Sequence, residues 1–133
     1  MPDAVTDTHA LIWYLQDDRR LSVAAGACFD DCQTDGGRIR VPSICVVEIV
    51  YLSEKHRIPI DTLSAFLIEL AAADTILQFA ELDLSTVLAL QRVPRATIPE
   101  LADRIIAATA VSLGLPLISR DAAIRASGLT TIW

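Results

Sequence analysis

The chain has 133 residues, 53% hydrophobic and 21% charged, with a formal net charge of −6. That length suits one domain (1–133) with one sizeable core, the apolar content excludes a disordered chain, and no apolar run approaches the ~20 residues needed to cross a bilayer. The negative balance disfavours a broad basic surface for nucleic acid, although acids gathered at a metal site would count toward the same total.

From the N-terminus, Ala4 to Thr6 reads as a short strand leading into a helix from about Thr8 to Leu15. A second helix is predicted from Ser22 to Asp31, with a turn at Asp35-Gly36-Gly37. Arg38 to Val41 is the next strand; Pro42-Ser43 starts a helix through about Lys55, with Ser43 as its cap. Pro59 and Asp61 open another helix, to about Ala73. A strand falls within Ile76 to Leu82, followed by a helix from Leu84 to Arg92 capped by Asp83 and a loop from Pro94 to Pro99. Glu100 to Leu113 is helical and is closed by Gly114 and Pro116. Pro116 to Ser119 is a strand, Asp121 to Ala126 a short helix and Thr130 to Trp133 a final edge strand. Strands alternate with helices and no hairpin signal appears. The expected fold is therefore a three-layer α/β/α sandwich around a mostly parallel sheet. In such folds sites form beyond the carboxyl ends of strands, and Asp7 and Asp121 stand at two of those ends.

Other features narrow the chemistry. Cys28, Cys32 and Cys45 form no C-x-x-C motif, and His9 and His56 complete no zinc pattern, so reduced, packed cysteines are expected. The opening MPDAVTD is acidic where a signal peptide is basic, which predicts a cytoplasmic protein. Ten of the eleven cations are Arg, whose flat fork suits phosphate, although ordinary surface charge explains most of them equally well.

Most acids lie in polar segments; four carry the functional question. Glu48 is set in Ile44-Cys45-Val46-Val47-Glu48-Ile49-Val50-Tyr51-Leu52, where no neighbour at helical spacing can pair its charge. A carboxylate buried alone must pair, bind metal or stay protonated; a surface position or an arginine from elsewhere is the competing explanation. Asp7 and Asp121 read equally as helix caps, and Asp103 as a first-turn acid favoured by the helix dipole. Taken together, the four can converge on one pocket. Two like charges ~4 Å apart repel by about 4 kcal/mol at an effective dielectric near 20, so such a pocket calls for a cation. Oxygen ligands select hard ions, Mg²⁺ or Mn²⁺, and the chemistry that follows is metal-assisted phosphodiester hydrolysis.

Four segments resemble the motifs of PIN-domain proteins, in order and across nearly the whole chain. They are Asp7-Thr8-His9-Ala10-Leu11-Ile12-Trp13, Pro42-Ser43 followed by Glu48, Asp103-Arg104-Ile105-Ile106-Ala107-Ala108-Thr109-Ala110, and Leu117-Ile118-Ser119-Arg120-Asp121. Size and the tryptophans near both ends most resemble VapC-type toxins of toxin–antitoxin pairs. The resemblance implies an Mg²⁺- or Mn²⁺-dependent endoribonuclease acting on RNA, usually a homodimer, inhibited by a small VapB-like antitoxin. It casts Asp7, Glu48, Asp103 and Asp121 as the catalytic, metal-holding residues. Two departures are Ser119, where Thr is commoner, and Glu100, where some relatives have Asp; Glu100 is left outside the core four. Thr8 and Ser119 can position water or phosphate, or simply cap helices. Arg104 and Arg120 can contact phosphate, or form surface ion pairs. His9 reads as a helix-face residue. A phosphoacceptor domain would need a Lys at a strand end, and the only Lys is Lys55 in a helix; a haloacid-type phosphatase would need a second Asp two residues after Asp7. The remaining alternatives are a catalytically silent PIN-like binding module, which the apolar composition would suit, and a DNA-directed nuclease of the same fold.

Overall fold

The structure is a computed structural model and describes residues 3–133. Its strands are β1 (Ala4–Thr6), β2 (Ile39–Pro42), β3 (Leu77–Ala80), β4 (Leu117–Ile118) and β5 (Thr131–Ile132), and its helices are α1 (Thr8–Leu15), α2 (Val23–Asp35), α3 (Ser43–Glu54), α4 (Thr62–Ala71), α5 (Leu84–Ala89), α6 (Leu101–Leu113) and α7 (Ala122–Arg125). The strands form one sheet in the order β3-β2-β1-β4-β5, and every pairing is parallel. All three residues of β1 are fully buried. Successive side chains of a strand point to opposite faces, so burial at consecutive positions requires helices on both faces. This is the three-layer arrangement expected of a parallel sheet. The core joins Val5, Ile39, Val41 and Leu117 of the strands to Leu11, Phe29, Ile49, Phe66 and Ile106 of the helices.

Local chemistry sets most boundaries. Ser22 caps α2 by accepting the Ala25 N–H, and Gly36 ends that helix at φ 79°, in the left-handed region that suits glycine. The helix therefore runs one turn past the expected Asp31. Asp83 caps α5 as expected, after which Leu90–Arg92 tightens into a 3₁₀ turn. Two expected caps are corrected. Ser43 is the first residue inside α3, and the cap position belongs to Pro42. Asp61 precedes α4, but its side chain caps nothing; its backbone carbonyl accepts instead, from the Ala65 N–H at 2.9 Å and the Ser64 hydroxyl at 2.9 Å. Cys28, Cys32 and Cys45 form no disulfide. No helix among the described residues is long and apolar enough to cross a membrane.

Candidate active site

The chain leaves β1 toward β2 and β3 on one side and later adds β4 and β5 on the other. The direction of winding thus reverses between β1 and β4, which lie side by side with Thr6 opposite Ile118. A crevice opens at such a reversal beyond the carboxyl ends of the strands. Asp7 follows β1 directly and Asp121 follows β4 by three residues. Each is also a cap: an Asp7 carboxylate oxygen accepts from Ala10 N–H and an Asp121 oxygen from Ile124 N–H, both at 2.9 Å. Cap and site coexist here, because the cap bond fixes one oxygen and so aims the carboxylate. Fully buried Ser119 ties the two strand ends together: its hydroxyl bonds the Asp7 carboxylate and accepts from the Asp121 N–H at 3.1 Å.

Two helices complete the crevice. α3 presents Glu48, whose Oε1 accepts the buried Thr8 hydroxyl at 2.5 Å. The missing partner of Glu48 thus comes from 40 residues earlier in the chain, beyond the reach of helical periodicity. α6 presents Asp103 in its first turn, and Glu100 caps that helix, accepting Ala102 N–H at 3.2 Å and Asp103 N–H at 2.8 Å. Asp7, Thr8, Glu48, Glu100, Asp103 and Asp121 line one cleft of about 370 Å³, with His9, Trp13 and Arg120 at its wall.

The electrostatics record the crowding. The Asp103 carboxyl is pushed up to about 7, first by burial and then by the charges of Asp121, Glu100 and Glu48. Asp7 is raised by burial, against the opposing bonds from Ser119 and Ala10. Beneath them burial pushes the Cys45 thiol up, and its Sγ donates to the Thr6 carbonyl at 3.7 Å, so this neighbour stays a neutral thiol. The donor set is all oxygen, which fits a hard divalent ion. Among the described residues no three acidic, His or Cys side chains close into a tight ligand cluster.

The structure brings together all four core acids with Thr8, Ser119 and Arg120. It does not bring Arg104: that guanidinium donates to the Val93 carbonyl at 2.7 Å and the Leu90 carbonyl at 2.8 Å. Arg104 pins the loop before α6 and does not line the cleft. Three cleft residues lie outside the site read from sequence: His9, Glu100 and Trp13. Glu100 had a signal, since it lies three residues before Asp103 and shares its face. Trp13 had a fainter one, four residues after His9; its ring carries the Arg120 guanidinium at 4.6 Å and meets the His9 ring at 5.7 Å.

Fold and cleft together define a parallel α/β domain with an acidic pocket at its winding reversal. The sequence profile of the PIN domain matches residues 4–128, and the chain belongs to the PIN-domain family, whose members are generally nucleases that use divalent metals. No curated protein matches it by sequence. Solved structures share the fold at low identity. One is VapBC2 from Rickettsia felis bound to a DNA fragment from its promoter, with TM-score 0.72, 12% identity and 97% of this chain and 96% of that one covered. Another is a toxin–antitoxin complex from Klebsiella pneumoniae, with TM-score 0.67, 19% identity and 98% and 96% covered. A third is FitAcB from Neisseria gonorrhoeae, with TM-score 0.61, 17% identity and 96% and 95% covered.

Proposed function

We propose that the chain is a metal-dependent endoribonuclease and the toxin of a cytoplasmic toxin–antitoxin pair. The observation that carries this reading is the convergence of Asp7, Glu48, Asp103 and Asp121, from four separate elements, on one cleft. These carboxylates would hold Mg²⁺ or Mn²⁺, directly or through water. When bound, the ion supplies Lewis-acid stabilisation of the charge on the scissile phosphate. Thr8 fixes Glu48, and Ser119 fixes Asp7 relative to Asp121. Asp103, raised to about 7 in the ion-free cleft by burial and neighbouring charge, would ionise as the cation binds. Arg120, braced on the Trp13 ring, places positive charge in the cleft for phosphate. Ile60, Leu67 and Ile68 stand exposed, apolar surface of the kind that an antitoxin or a second copy in a homodimer covers.

The test is cleavage of a single-stranded oligoribonucleotide by the purified protein with Mg²⁺ or Mn²⁺. Chelator should stop it, and Asp103→Asn should abolish it while circular dichroism stays native. A deoxyribonucleotide of the same sequence should survive; its preferential cleavage would indicate the DNA-directed alternative. Full activity in Asp103→Asn would defeat the site assignment, and a wild-type protein that binds neither metal by calorimetry would be the silent module.

A further inference from the structure

A second pocket, of about 320 Å³, opens on the far side of His9 and Trp13, which also line the acidic cleft. That volume lies within the range of small-ligand sites, ~300–1,000 Å³. It is built where α1 ends, at Gln16, and where α3 gives way to the Arg57–Pro59 loop. We propose that this pocket is a nucleotide subsite, taking the base next to the scissile phosphate and the phosphate beyond it. The inference rests on the ribonuclease reading above and adds to it the path of the strand.

Three observations support the assignment. The two cavities share His9 and Trp13, so a chain leaving the cleft on that side enters the pocket at once. The cleft itself is crowded with carboxylates that repel flanking phosphates, whereas the pocket offers Arg57, whose exposed guanidinium has no bonded partner among the described residues. The second arginine here, Arg20, is held by Asp18 through bonds of 3.1 and 2.8 Å and lies 5.1 Å from the Trp13 ring centre. One indole thus braces an arginine toward each cavity, Arg120 in the cleft and Arg20 in the pocket, and Arg57 is left with its charge free for phosphate.

The lining also suits a base. Leu52, Ile58 and Pro59 give apolar walls, and the exposed His9 ring gives a flat face on which a base can stack. The Gln16 amide donates through Nε2 to the Thr62 hydroxyl at 3.0 Å. That bond orients the amide and leaves its oxygen to accept. The amide thus offers the base edge an acceptor oxygen and a second N–H in a fixed orientation, a pair that can favour one base over another.

Anisotropy of a fluorescein-labelled single-stranded oligoribonucleotide, measured on the cleavage-silent Asp7→Asn protein, tests the pocket without turnover. Adding Arg57→Ala or Ile58→Trp should weaken binding about tenfold, while Arg95→Ala, an exposed arginine outside both cavities, should leave it unchanged. In the active protein, sequencing the products of a random RNA library should show one base favoured beside the cut, a preference that Gln16→Ala removes. Unaltered affinity in both pocket variants, or one cleavage preference shared by wild type and Gln16→Ala, would overturn the subsite and leave the ribonuclease reading standing. A wild type that cuts no RNA would overturn the ribonuclease reading, and the anisotropy result would then judge the pocket by itself.

Discussion

Asp7 and Asp83 make the same local structure. Each precedes a helix with nearly the same backbone, φ −86° and ψ 177° for Asp7, φ −91° and ψ 177° for Asp83. Each accepts the N–H three residues on at 2.9 Å. Yet bonds from the Thr86 N–H and hydroxyl hold the exposed Asp83 carboxyl below the usual carboxylate range, whereas burial raises Asp7 above it. Asp83 caps α5 and no more. Asp7 caps α1 at the bottom of a cleft shared with four other carboxylates. A cap residue becomes a site residue through what surrounds it, not through the turn it makes.

The sharpest way to break this comparison is to make the same substitution at both positions. Asn caps helices about as well as Asp, so Asp7→Asn and Asp83→Asn should both fold and melt near wild type. Only Asp7→Asn should lose RNA cleavage, by more than ~100-fold, since outer-shell changes at metal sites already cost about 10- to 100-fold. Comparable kcat/KM values for the two variants would erase the distinction.

The next effect is in pH. Asp103 must give up its proton to hold a cation. With its carboxyl near 7, divalent-metal affinity measured by calorimetry should rise about tenfold from pH 6 to pH 8, with proton release at the lower pH. The sign for folding is the reverse. A carboxyl raised in the folded state adds stability that is fully present below its unfolded value of 3.8 and is lost as pH rises through about 7. Metal-free protein should therefore melt lower at pH 8 than at pH 5.5, and Asp103→Asn should flatten that difference. A metal affinity flat across this window would remove Asp103 from the ligand set.

The smallest effect belongs to the plain cap. Asp83→Ala removes both Thr86 bonds and should lower Tm by roughly 3–5 °C with cleavage unchanged. The loss should fade on acidification, because a depressed carboxyl contributes above its unfolded pKa and ceases to as pH falls through the folded one. Reduced activity in Asp83→Ala would tie α5 to the site.

Much of this was legible in the chain. Ala4–Thr6 and Thr8–Leu15 match their expected bounds residue for residue, because an apolar run, an Asp-Thr junction and an unbroken helical segment are local signals. The expected strand Arg38 to Val41 slipped by one residue, to Ile39–Pro42, since the ladder to β3 extends through Pro42 and pairing is not a local property. The four core acids were marked by position or by the want of a partner. The place of Arg104 was not legible, because its neighbours in sequence do not include Leu90 and Val93, whose carbonyls accept from its guanidinium. Glu100 and Trp13 were passed over because a cap and a core aromatic look alike wherever they sit.

What the sequence determined by itself was the order of elements, their approximate ends and which carboxylates lacked an ordinary role, since all of these follow from interactions within a few residues. Only the tertiary structure decided that β4 lies beside β1, that Thr8 reaches Glu48, and that Trp13 stands between an acidic cleft and a second pocket. Those contacts join residues far apart in the chain, and they form when the sheet and its helices bury their apolar faces together, a cooperative choice that no short window of sequence contains.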